Sequence, residues 1–276
     1  MPDITLRFGN FLAPGMMPVY SAIADHIASR LDCAAHIENA KSYLQVEEYD
    51  VCFICGLAYI ELAQDVDRPF DAIAAPVLRG ERFKEKPIYY SDVIVKRDSS
   101  IQTFEQLRGR SWCFNEPWSQ SGYGITCYHL SRLGEDVSFF GQVLQSGYHH
   151  RSIDLVRTGA IDASAIDCHV LEMALQVNPS LRNEIRIIDT LGPSTIQPVT
   201  VSRRLPTWMK DEIQQGFLEL SSQPELNRHL ARGLIQRFVS VDDFSYDELR
   251  AMRDCWESIC LNNDYAESEA CSFDRE

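Results

Sequence analysis

The stretch Asn115-Glu116-Pro117-Trp118-Ser119-Gln120-Ser121-Gly122-Tyr123-Gly124 places two hydroxyls, an amide and a glycine where an apolar strand-like run gives way to a helical pattern. Such residues at a helix start can hold an anion. The first backbone N–H groups of a helix have no intrahelical partner and lie at the positive end of its dipole. An ordinary capped helix would show the same residues.

A second polar cluster, Gly147-Tyr148-His149-His150-Arg151-Ser152, falls between a predicted strand and a predicted helix. Its histidines and arginine can donate charge-assisted bonds to an oxyanion, although adjacent histidines point different ways. Asp167-Cys168-His169 marks another strand-to-helix junction and reads as a helix start more readily than as a metal set. Cys52-Phe53-Ile54-Cys55 has CxxC spacing but lies on a predicted strand, where its thiols face opposite ways and gain no helix-dipole activation. No carboxylate pair has the context of a glycosidase. Ser121 lacks a G-x-S-x-G setting, and neither a Walker loop nor a Rossmann glycine fingerprint is present. The residues supply binding groups rather than catalytic ones, and no catalytic residue, cofactor or metal is expected.

These clusters need a scaffold of alternating strands and helices. Strands are predicted at Ile4–Phe8, Asp50–Ile54, Phe70–Leu78 and Tyr89–Val95, with helices at Val19–Leu31 and Leu57–Gln64. After the polar break Lys96–Ser100, a short helix at Thr103–Leu107 carries a candidate capping box from Thr103 and Gln106. Strands at Ser111–Asn115, Ser138–Gln145, Ala163–Ile166 and Ile185–Leu191 then alternate with helices at Gly122–Leu133, His150–Thr158 and Val170–Val177. A strand at Ile196–Ser202 precedes amphipathic helices at Pro206–Leu220, Glu225–Phe238 and Tyr246–Ile259, and the acidic tail beyond Asn262 is expected to fray. This order predicts a first α/β lobe from 1–95 and 193–276, including the C-terminal helices, with an inserted α/β lobe at 96–192. A single doubly wound domain is the alternative.

The 276 residues are long enough for either arrangement, and the net charge of −14 argues against nucleic acid or an anionic membrane as principal partner. No apolar run reaches transmembrane length. Nine cysteines, an odd number scattered through regular segments, suit a reducing compartment. A cytoplasmic location is therefore expected, with a periplasmic or membrane-associated one following if a leader has been removed.

The ordered series of motifs resembles the phosphate/phosphite/phosphonate substrate-binding proteins of ABC transporters, which have the type 2 periplasmic-binding fold. The longest similarity runs from Tyr89-Tyr90-Ser91-Asp92 through Phe104-Glu105-Gln106-Leu107 to Phe114–Tyr123. Further similarity covers Gly147–Asp167 and, more weakly, Gly56-Leu57-Ala58-Tyr59. The resemblance implies two lobes closing on a ligand in an interlobe cleft. It places the anion loop at Ser119, Gln120 and Ser121, with Gln120 where the family has threonine, and the backbone of Gly122 and Tyr123 beside it. It sets His149 on the opposite wall and implies ligand tyrosines at Tyr59 and Tyr90. Asp167, His169 and Gln197 join the expected site. The last two stand where amine-bearing phosphonate binders have acidic residues, which disfavours an ammonium ligand. Trp118, Tyr123 and Tyr148 can line a pocket for an organic group or pack within the lobe. The expected function is reversible binding of a small oxyanion such as phosphate or an organic phosphonate, with an ABC permease as partner if the protein is exported. An enzyme acting in the same cleft, or an interaction protein that has lost its ligand, remains the alternative.

Overall fold

A computed structural model describes residues 5–64 and 68–260. In chain order the elements are β1 (Thr5–Asn10), α1 (Met17–Arg30), β2 (Ala34–Asn39), β3 (Val51–Phe53), α2 (Gly56–Leu62), β4 (Phe70–Leu78), β5 (Ile88–Lys96) and β6 (Ser111–Phe114). There follow α3 (Ile125–Arg132), β7 (Gln142–Gln145), α4 (His149–Thr158), β8 (Ala163–Asp167), α5 (Cys168–Val177) and β9 (Ile185–Thr195). The chain continues with β10 (Val199–Ser202), α6 (Thr207–Glu219), α7 (Pro224–Arg232), β11 (Ile235–Ser240) and α8 (Asp247–Cys260).

Two units emerge, each with its own sheet. The first comprises residues up to Ile88 together with Thr195–Asp247, around a sheet of order β11-β4-β10-β3-β1-β2. Its β1, β2 and β3 run parallel, whereas β10 is antiparallel to β3 and β4, and β11 to β4. Tyr20 of α1 stacks on Phe53 of β3 at 3.8 Å between ring centroids, and Phe217 of α6 meets Phe53 edge-on. These large apolar side chains are removed from water and contribute to the driving force for this core.

The second unit comprises Tyr89–Ser194 and the described residues from Glu248, around a sheet of order β7-β6-β8-β5-β9. Ile94, Ile153, Val156, Ile166, Leu171 and Ile185 form its core under α4 and α5. The predicted α/β architecture is present, but four expectations change. The run 89–95, assigned to the first lobe, pairs antiparallel with β8, Ser91 opposite Asp167 and Val95 opposite Ala163, so it belongs to the second sheet. The last helix, α8, also enters the second unit from Glu248. The predicted helix Glu225–Phe238 splits into α7 and β11, because Leu234 turns into the left-handed region (φ 56°) and redirects the backbone. At the short 104–107 helix, Thr103 makes no side-chain cap bond, while Gln106 accepts from the Gln102 N–H at 2.6 Å. The tail expected to fray lies outside the described residues.

Candidate functional site

Within the second sheet β6 runs parallel to both β7 and β8, so the carboxyl ends of all three strands lie at one end. Ligands in α/β folds bind at such ends, where each strand feeds a turn and a helix. Here the turns after β6, β7 and β8 carry Ser119–Gly124, Ser146–His149 and Asp167–His169 respectively. The N–H groups of Ser146 and Gly147 donate to Phe114 O and Asn115 O at 2.7 and 2.8 Å, joining the first two turns.

The first turn, residues Gln120–Gly124, is π-helical and leads directly into α3. Wide turns of this kind are rare and concentrate at functional sites. Ser119 caps it: its Oγ accepts from the Gly122 N–H at 3.1 Å, while Tyr123 and Gly124 N–H donate to its carbonyl at 3.1 and 3.0 Å. Gly122 leaves room for the Asn115 amide, since a Cβ there would overlap Asn115 Oδ1 as it is placed. That oxygen is buried and has no hydrogen-bond partner among the described residues.

The hydroxyls form a chain. Ser119 Oγ lies 3.3 Å from Ser121 Oγ, and Ser121 Oγ lies 2.9 Å from His149 Nε2. His149 is the first residue of α4, and its other ring nitrogen is buried with no hydrogen-bond partner among the described residues. Burial, aided by neighbouring His150, lowers its pKa from 6.5 to about 3, so the ring is neutral at physiological pH. The cationic histidine that the sequence suggests is therefore replaced by a neutral imidazole. The expected role for the N–H groups of Gly122 and Tyr123 also changes: both are engaged within the turn by Ser119. The Ser119 and Ser121 hydroxyls are the side-chain donors of the turn that can meet an anion.

The other expected site residues separate into three sets. Gln120 is buried and sends its amide to Ser194 Oγ at 3.2 Å. Tyr123 packs on Phe114 and Trp256, with ring centroids 4.9 and 5.7 Å away, while Trp118 is half-buried. Tyr148 is 60% exposed, the most open aromatic of the three turns. Asp167 caps α5, accepting from His169 and Val170 N–H at 2.8 and 3.4 Å, so its carboxylate occupies the helix end that an anion would otherwise use. His169 and Tyr90 are half-buried in the same unit, the Tyr90 N–H donating to Cys168 Sγ.

Tyr59 and Gln197 belong to the first unit. Gln197 is half-buried between β9 and β10. Tyr59 is fully buried, flanked by Phe70 and Tyr246, and its hydroxyl donates to Asp243 Oδ1 at 2.7 Å. Burial and then Asp243 push its pKa well up. The ligand tyrosine implied at this position is thus corrected to a core residue with its hydroxyl in use. Asn115, Ser194 and Met252 are structural members of the site that sequence reasoning did not single out; a glycine seven residues after Asn115 was the available signal for the first.

A family profile described as "ABC transporter, phosphonate, periplasmic substrate-binding protein" matches residues 14–246. The chain belongs to this phosphonate substrate-binding protein family. A probable ABC transporter phosphite-binding protein, PhnD1, from Prochlorococcus marinus (strain MIT 9301) is 23% identical over 145 residues, 52% of this chain and 48% of the relative. The chain thus aligns with about half the length of that curated relative. A binding-protein component of an ABC phosphonate transporter from Pseudomonas aeruginosa superposes with TM-score 0.80 at 17% identity, covering 95% of this chain and 90% of that one. The methylphosphonate complex of P. marinus PhnD1 gives 0.78 at 17% identity, covering 90% and 96%. The fold is the two-lobed periplasmic-binding-protein type.

Membership in a periplasmic family overturns the cytoplasmic expectation, which rested on cysteine usage. Cys52, Cys55, Cys113, Cys127 and Cys168 are buried, filling core space as small apolar side chains, so their number does not report on compartment. Among the described residues no helix is long and apolar enough to cross a membrane.

Proposed function

We propose that this chain reversibly binds a small oxyanion, phosphate or an organic phosphonate, by lobe closure, as the solute-binding component that delivers it to an ABC permease. The observation carrying the reading is the Ser119–Ser121–His149 chain at the carboxyl ends of parallel strands. With the proton on Nε2, His149 donates to Ser121 Oγ, and Ser121 is free to donate its own proton to an anion oxygen. Ser119 accepts from Gly122 N–H, and its proton turns from the 3.3 Å contact with Ser121 to the anion when the ligand arrives. This tautomer avoids an unpaired buried N–H at Nδ1. Recognition then rests on aligned neutral donors, with half-buried Trp118 and exposed Tyr148 available to an organic substituent.

His169 and Gln197 supply no carboxylate for a ligand ammonium, so the reading favours phosphate, phosphite or methylphosphonate over an aminoalkylphosphonate. Isothermal titration with methylphosphonate and phosphate, followed by mass spectrometry of the released ligand, tests it. Saturable binding with the ligand recovered unchanged is expected. No heat with any oxyanion would remove the proposal, and a new product mass would move the site to catalysis.

A further inference from the structure

Gln120 stands in the middle of the hydroxyl turn, yet only 1% of it is exposed. Its amide nitrogen reaches Ser194 Oγ at 3.2 Å and Met252 Sδ at 3.7 Å, and Ser194 Oγ itself lies 3.9 Å from that sulfur. The two partners hold particular places in the chain. Ser194 is the last residue of the second unit before the backbone enters the first at Thr195, and Met252 lies in α8 one turn after the backbone returns at Glu248. On the first-unit side, Thr195 Oγ1 donates to Ser245 O and the Tyr246 hydroxyl donates to Ile196 O, both at 3.1 Å. The two passages are therefore bonded to each other, and one buried amide fastens the anion turn to both.

We infer that Gln120 is a positioning residue that couples occupancy of the Ser119–Ser121 turn to the chain passages at Ser194–Ile196 and Tyr246–Met252. The inference rests on the oxyanion-binding reading. A ligand drawing on Ser119 and Ser121 reorients the turn that carries Gln120. The amide then passes that change to Ser194 and Met252 through its contacts at 3.2 and 3.7 Å. Without the amide the hydroxyls can still meet an anion, but their orientation and the passages are no longer linked.

Hydrogen exchange with and without saturating methylphosphonate, on the full chain, tests this. The native protein should show ligand-induced slowing at 119–124 and at both passages. Gln120→Leu, which keeps the bulk and removes the amide, should bind about tenfold more weakly and keep slowing at the turn while losing it at the passages. Met252→Leu and Ser194→Ala, which approach the contact from the other side, carry the same test if Gln120→Leu fails to fold. Adding Met252→Leu to Gln120→Leu should cost nothing more. Slowing at all three segments in Gln120→Leu, with affinity within about twofold of native, would overturn the inference. So would slowing confined to the turn in the native protein, which leaves the binding reading intact. No slowing at 119–124 with either methylphosphonate or phosphate would overturn both.

Discussion

Ser121 Oγ and His149 Nε2 lie 2.9 Å apart, one at the turn after β6 and the other on the first residue of α4. Replacing Ser121 with alanine removes the link between His149 and the hydroxyl turn without disturbing the Ser119 cap. We expect anion affinity to fall by about 1–3 kcal/mol with little change in melting temperature. Ser119→Ala should instead lower both, because Gly122 N–H loses its acceptor at a cost of about 1 kcal/mol. Calorimetry and thermal melts on the two variants separate these outcomes, and identical behaviour would contradict the division of roles.

The depressed pKa of His149 has a definite sign. The unfolded chain takes up a proton below 6.5, whereas the folded ring resists protonation down to about 3. Native stability from this group is therefore full above 6.5 and falls as the pH drops toward 3. His149→Gln should flatten that part of the profile in urea melts. Because the ring is already neutral, the affinity ratio of the native chain to His149→Gln should stay constant from about pH 6 to 8. A ratio that declines with rising pH would show a histidinium at work.

Tyr59→Phe distinguishes a core tyrosine from a ligand tyrosine. Losing the 2.7 Å bond to Asp243 should destabilise the fold by about 1–2 kcal/mol and leave methylphosphonate affinity unchanged. Weakened binding at unchanged stability would restore Tyr59 to the site.

Ligand choice follows from the absence of carboxylate at 169 and 197. In a thermal-shift series, phosphate, phosphite and methylphosphonate should stabilise the protein more than 2-aminoethylphosphonate. The reverse order would mean that another acidic group meets the ammonium. His169→Asp is then the informative variant, expected to gain affinity for the amine alone.

The alternation of strands and helices was legible because each element carries its own apolar period. Two strands were not. The β2 segment Ala-Ala-His-Ile-Glu-Asn is short, polar and on the sheet edge, so little of it is buried and its pattern is weak. β11 was read into the preceding helix, since Leu230, Ile235 and Phe238 also fit a helical face until Leu234 breaks it. At the site, Ser119, Ser121 and His149 were each picked out by type and order, but His149 was expected on the opposite wall, whereas its ring lies against Ser121 itself. What lay beyond reach were the partners: Asp243 meets Tyr59 across 184 residues and Met252 meets Gln120 across 132, and no local pattern encodes such pairings.

The fit between Gly122 and Asn115 bears on sequence divergence. A side chain at 122 is accommodated most readily where the residue at 115 has shrunk, because otherwise the Asn115 amide must give up its position. The two positions should therefore diverge together: a small residue at 115 should accompany loss of the glycine more often than asparagine does.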